Sequence, residues 1–326
     1  MLSRVADSCY WLSRYIERAE TNARLLMVNM GLMLDLEDAD ADSTQENWKP
    51  VIATLEDQEL FNTLFEQIDG ESVMEFVTFE KKNPHSIVSS ISAARENART
   101  VREQISSEMW EHLNKLYLYL RSEKARADYR HTPHDFYRQV IDGSHLFQGI
   151  TDATMTHGEG WDFIQVGKFL ERADSTSRVL DMKYHILLPS GERVGGSVDL
   201  TQWLAVLKSC SALEAYLKIR VGHVAAWEVA EFLILHPAFP RSIRFSIDHM
   251  DRAIHRISGT GISSGSHNEA ERLSGMLRSS IDYATIESIF EVGLHQYLDR
   301  TQGRLIEISD KLVKTYCEWL DEAVAT

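Results

Sequence analysis

Two unrelated patterns recur in this chain at almost the same spacing. Glu17-Arg18-Ala19-Glu20 is followed by Arg24, and 154 residues later Glu171-Arg172-Ala173-Asp174 is followed by Arg178. Glu75-Phe76 with Pro84-x-Ser86-Ile87-x-x-Ser90-Ile91 returns 156 residues later as Glu231-Phe232 with Pro240-x-Ser242-Ile243-x-x-Ser246-Ile247. The shared register predicts a diverged tandem duplication, with repeats of about 1–157 and 158–326. A chain built this way must accommodate two copies of one charged segment. Charge is costly to keep inside a protein unless it pairs or works.

The segment carrying the first copy reads as a helix. Val5, Cys9, Leu12, Ile16, Ala19, Ala23, Leu26, Met30 and Met33 alternate steps of four and three, one apolar seam at the 3.6-residue period. Ala19 and Ala23 leave room for a neighbouring helix, and the acidic stretch 37–46 reads as a solvated loop. Further helices are expected near 57–67 and 71–79. Another opens at Pro84 with Asn83 as its cap and runs through Arg102 and past Trp110 to Leu120. More follow over 135–155, 161–186, 199–220 and 224–235, then from Pro240, and over 285–322. Period-two β-branched runs and hairpin dipeptides are missing. The expected fold is all-α, a single helical bundle with pseudo-twofold symmetry spanning 1–326. Two packed domains are the alternative.

Composition narrows the function classes. Thirty-four basic against 49 acidic residues leave a formal charge of −15, which disfavours nucleic acid and anionic membranes as partners. No uncharged apolar run reaches 18 residues, and the N-terminus lacks a signal-peptide core. Cys9, Cys210 and Cys317 are far apart and odd in number, which argues against a disulfide scaffold or thiolate zinc cage and for a cytoplasmic protein. No histidine has a glutamate three residues before it, as a bundle di-iron centre requires. Gly261-x-Ser263-x-Gly265 matches a nucleophile elbow only in letters, because no strand precedes it. No metal or cofactor is expected.

The charged signatures admit three readings. With the seam as core, Glu17 and Arg24 fall on a flanking face, and Glu20 and Arg24 form an i,i+4 pair worth a few tenths of a kcal/mol if exposed. The charges recur in both copies while Met27/Asp181 and Asn29/Lys183 differ. They are an internal network locking helices together, a ligand site, or an ordinary solvated face. A third block, Arg95-Glu96-Asn97-Ala98-Arg99 with Arg102, places three guanidiniums on one stripe. These can hold a carboxylate or phosphate by forked hydrogen bonds, or be neutralised by Glu17, Glu20, Glu171 and Asp174. The corresponding Asp251-Arg252-Ala253-Ile254-His255 has no such stripe, so a pocket is expected near Arg95, with Glu108 and Trp110 beside it. The ligand-binding candidates are Arg18, Glu20, Arg24, Arg95, Glu96, Arg99, Arg102, Glu108, Arg172, Asp174 and Arg178. Glu17 and Glu171 are the catalytic ones, as acid–base carboxylates.

Five ordered motifs carry a family resemblance: Tyr10-Trp-Leu-Ser-Arg-Tyr-Ile-Glu-Arg-Ala-Glu, Arg95-Glu-Asn-Ala-Arg, Ile105-Ser-Ser-Glu-Met-Trp, Ile150-Thr-Asp-Ala-Thr-Met and Leu170-Glu-Arg-Ala-Asp-x-Thr-Ser-Arg. Over nearly the whole chain they resemble the bacterial alpha-E family, with Lys168 and Gln148 departing where Arg and Glu are expected. The resemblance implies an all-helical domain of unknown function, found beside or fused to a circularly permuted ATP-grasp ligase, often with a transglutaminase-like peptidase. It therefore implies a role in a system that makes or processes amide bonds. Three functions follow as expectations: an accessory protein binding the ligase or its small peptide or amino-acid substrate, an enzyme acting on the peptide product, or a purely architectural charge network.

Overall fold

The seam of the first segment becomes α1 (Ser3–Leu36), whose Cys9, Leu12, Ile16, Ala19, Ala23 and Leu26 are all buried. A computed structural model describes residues 1–36, 42–55, 57–185, 195–220, 222, 224–261 and 265–317. All its regular elements are helical. The first half continues with α2 (Asp42–Thr54), α3 (Gln58–Leu64), α4 (Gly70–Thr78), α5 (Ile87–Thr100), α6 (Ser107–Leu120), α7 (Glu123–His131) and α8 (Pro133–Thr154). The second comprises α9 (Glu159–His185), α10 (Ser197–Ser209), α11 (Leu213–Ile219), α12 (Ala226–Leu235), α13 (Ile243–Ser258), α14 (Glu269–Asp282), α15 (Ile286–Val292) and α16 (Leu294–Leu312), then a π-helical turn, Val313–Cys317.

Several expected boundaries move, each for a local reason. Asp42–Glu46 belongs to α2 rather than to a solvated loop, while 37–41 lie outside the described residues. Pro84 precedes the helix instead of opening it. The cap is Ser86, which accepts from the Ser89 amide at 3.2 Å, and Asn83 braces the turn by accepting from the His85 amide. That helix stops at Thr100, and Ser106 caps a separate α6. The expected 199–220 helix divides at Ser211, whose φ of 51° leaves the right-handed region. The last helix divides at Gly293, φ 99°, and 318–322 lie outside the described residues. Helices α7 and α14 were not anticipated.

α1 packs on α5, α8 and α9, and α9 on α1, α13 and α16. The two signature helices run side by side in the same direction, with Tyr10 against Gly167 and Glu17 against Arg172. Gly167 lets them cross closely, since a Cβ there would overlap the Tyr10 carbonyl oxygen and Ser13 Oγ. Buried apolar residues from Val5 to Leu312 form one continuous core around this pair.

Candidate functional site: a crossed charge lattice and its adjoining pocket

Because α9 packs beside the α1 seam, the flank carrying the signature is interior. Glu17 and Glu20 are buried, not on a solvated face. The two Glu-Arg dipeptides then pair crosswise. Glu171 accepts from Arg18 Nε at 2.6 Å and Nη2 at 3.0 Å, and from Arg14 Nε at 2.7 Å. Glu17 accepts from Arg172 Nη2 and Nε, and from Gln148 Nε2 at 2.6 Å. Gln148 in turn accepts from Arg172 through its Oε1. Tyr10 and Ser309 accept from Arg14 Nη1. Burial opposes ionisation of Glu171, but Arg18 and Arg14 outweigh it and hold its pKa down to about 2. With both oxygens of each glutamate occupied, neither is poised to move a proton.

One turn on, the two signatures part company. Glu20 takes Arg24 Nη2 on Oε1 at 2.6 Å and Arg241 Nη2 on Oε2. Burial disfavours its charge, yet Arg241 foremost, with His145 and Arg24, holds its pKa well below the ordinary range. Asp174 takes Arg178 Nε on Oδ2 at 2.8 Å, and its Oδ1 is buried without a hydrogen-bond partner. Burial raises the Asp174 pKa against the pull of Arg178.

The missing partner traces to the residue before each cap. Asn22 Nδ2 donates to the His85 carbonyl at 2.8 Å, and Thr176 Oγ1 to the Arg241 carbonyl at 3.0 Å, so positions 85 and 241 sit alike just ahead of α5 and α13. From 241 a guanidinium reaches Glu20 and stands 3.8 Å from Glu17. From 85 an imidazole reaches only Arg18, 2.8 Å from its Nη1. On this shorter side lies a pocket of about 610 Å³ between α1, α9, α16 and the π-helical turn. Trp11, Arg14, Arg18, Thr21, His85, Glu171, Asp174, Arg178 and Lys314 contribute to its walls. Thr21 Oγ1, like Asp174 Oδ1, is buried there without a partner. Such pockets, with few convergent polar groups on a rigid scaffold, are the usual form of small-ligand sites.

His85 also makes the lattice acid-sensitive. Burial, then the Arg18 charge, lowers its pKa from 6.5 to about 4. Between those values the unfolded chain binds a proton that the folded chain does not, so stability falls as pH falls through this window. Glu171 acts in a lower one: its contribution is intact above pH 4.5 and is lost as pH falls toward about 2. A His85→Gln variant is expected to hold its Tm flatter than the parent between pH 6.5 and 4. Parallel Tm–pH curves would contradict the assignment.

The structure brings together Glu17, Arg18, Glu20, Arg24, Glu171, Arg172, Asp174 and Arg178, but not the arginine stripe. Arg95 donates to Asn114 at 2.8 Å and to Glu96, with its guanidinium over Trp110 and Tyr117. Arg99 pairs with Glu96 and is 64% exposed, Arg102 lies over Trp110, and Glu108 is exposed. The expected pocket is therefore displaced. Arg95 and Arg99 are neutralised by Glu96, and the lattice carboxylates are taken by Arg14, Arg18, Arg24, Arg172 and Arg241. Exposed pairs contribute little, so Arg99→Ala is expected to change stability by less than about 0.5 kcal/mol in urea unfolding. A larger loss would assign the stripe a structural role. Sequence reasoning missed Arg14, Thr21, His85 and Arg241. The last two occupy the x of Pro84-x-Ser86 and Pro240-x-Ser242, where the two otherwise similar motifs differ.

The model of a family described as a predicted alpha-helical domain with a conserved ER motif matches residues 1–317. The Glu-Arg dipeptides at 17–18 and 171–172 lie at the centre of the lattice. Uncharacterized proteins of Mycobacterium bovis and Mycobacterium tuberculosis are 22% identical over 300 residues, 85% of this chain and 32% of theirs. The chain thus spans about a third of the length of these relatives. No solved structure matches it.

Proposed function

This chain belongs to the Alpha-E family, and we propose that it is an accessory protein of an ATP-grasp-linked system that forms amide or peptide bonds, holding a small peptide or amino-acid substrate for a ligase partner. The observation that carries this reading is the pocket beside the crossed lattice, lined by Asp174, which has one unpartnered oxygen, and by the guanidinium-bearing Arg14, Arg18 and Arg178. Mixed charge of this kind matches a ligand carrying both an amine and a carboxylate. The relatives support partnership, because in them this region is covalently joined to a longer chain. The reading places the protein in the cytoplasm, and among the described residues no helix is long and apolar enough to cross a membrane. It also takes the chain as one helical domain duplicated internally, supported by the matching contacts of Asn22 with His85 and Thr176 with Arg241.

The occupied oxygens of Glu17 and Glu171 favour this accessory role over catalysis by those carboxylates. Thermal-shift screening with amino acids and dipeptides tests the binding half. Stabilisation of the parent by some members, lost in a pocket-filling Ser175→Trp variant, is the expected result. Stabilisation by none, or equal stabilisation of both proteins, overturns it. Steady-state assays of an ATP-grasp ligase from the same genome test the partner half. Addition of this protein should lower the ligase's substrate KM, and an unchanged KM and kcat contradicts the proposed role.

A further inference from the structure

The pocket's polarity is legible from the site that resembles it. Glu20 and Asp174 both take an i+4 arginine on one carboxylate oxygen. On its second oxygen Glu20 takes the Arg241 guanidinium, whereas Asp174 Oδ1 has nothing. A buried acceptor left bare is costly, so native proteins rarely keep one without a use. Thr21 Oγ1 is also buried without a partner, and Thr21 lines the same pocket from α1. The guanidinium that Arg241 supplies to Glu20 thus has no counterpart at Asp174, where the shorter His85 stands at the matching position.

Resting on the reading of this pocket as a substrate site, we infer that it recognises a free primary amine, whose ammonium donates to Asp174 Oδ1 and Thr21 Oγ1. The ligand class is an amino acid or a peptide with an unblocked amino end. Its carboxylate or carbonyl end extends toward Lys314, an exposed lysine of the pocket lining with no ion pair among the described residues. An ammonium fits better than a metal ion, because the bare acceptors are one carboxylate oxygen and one hydroxyl, too few for a dedicated cation cage. Burial, which raises the Asp174 pKa against Arg178, also means that an incoming cation restores the charge state the carboxylate is least able to hold alone.

Saturation-transfer NMR with alanyl-alanine and N-acetyl-alanyl-alanine as probes, titrated against the parent, Asp174→Asn and His85→Arg, tests this. The unblocked dipeptide should bind the parent, with at least tenfold weaker binding of the acetylated one. Both variants should lose the unblocked probe by a similar factor. His85→Arg should also raise the Tm, since it supplies to Asp174 the guanidinium that Glu20 already has. Should Asp174→Asn fail to fold, His85→Arg alone decides. Equal binding of both probes to the parent overturns the amine assignment while leaving the pocket reading intact. Binding of neither overturns both. Undiminished binding of the unblocked probe to a folded His85→Arg protein overturns the placement at Asp174.

Discussion

Glu171→Gln is expected to destabilise the protein by about 3–5 kcal/mol, the cost of breaking a buried ion pair by removing one partner. Glu171 is 3% exposed and accepts from both Arg14 and Arg18, whose side chains are themselves only 11% and 16% exposed. A neutral amide leaves two guanidiniums facing each other inside the helix pair, and its NH₂ turns a donor toward donors. In a domain of this size such a loss corresponds to a Tm fall of roughly 4–7 °C. Thermal and urea unfolding of the purified variant measure it. A change below about 1 kcal/mol would mean that solvent reaches the arginines and that the lattice is a surface feature.

Gly167→Val is expected to cost at least as much, by sterics rather than charge. Any Cβ at 167 overlaps the Tyr10 carbonyl oxygen, part of the α1 backbone, as well as Ser13 Oγ. The hydroxyl can turn away, but the carbonyl cannot without moving the helix. Overpacking a close-packed interior costs about 1–3 kcal/mol and more when backbone must shift. Here the shift pulls the crossed carboxylates away from their arginines. Gly303 and Gly149 supply the contrast, being helical with open space around an added Cβ. Alanine there should stabilise by up to about 1 kcal/mol. If Gly167→Val and Gly303→Ala unfold at similar denaturant concentrations, the close crossing of α1 and α9 is wrong.

The parts of this fold legible in the sequence are those set by periodicity and by repetition. The unbroken four-three seam from Val5 to Met33 marked α1, and the second Glu-Arg-Ala-acid block lies in a segment expected as a helix over 161–186, which is α9. Both are local signals, whereas the packing of one helix on the other is not. Breaks between helices were less legible, since Ser106 and Ser211 end or start helices through cap geometry and backbone torsion that any polar residue can disguise. The burial of Glu17 and Glu20 was hidden for a different reason. A helix's own pattern identifies its most apolar face, whereas which flank a second helix covers is a tertiary fact. The site followed the same logic. Arg95, Arg99 and Arg102 drew attention as a stripe on one helix, where spacing can be read. Arg14, His85 and Arg241 come from three different helices or turns and meet only after packing. Even so, positions 85 and 241 stood in matched sequence contexts, and the informative signal was the one residue that differed between them.

The two Glu-Arg helices pair crosswise, with Arg241 closing one side and the shorter His85 standing at the matching position on the other. A crystal structure of the His85→Arg variant is the sharpest check. The new guanidinium should seat against Asp174 Oδ1, as Arg241 does against Glu20. A guanidinium turned to solvent, with Asp174 Oδ1 still bare and the pocket unchanged, would contradict it.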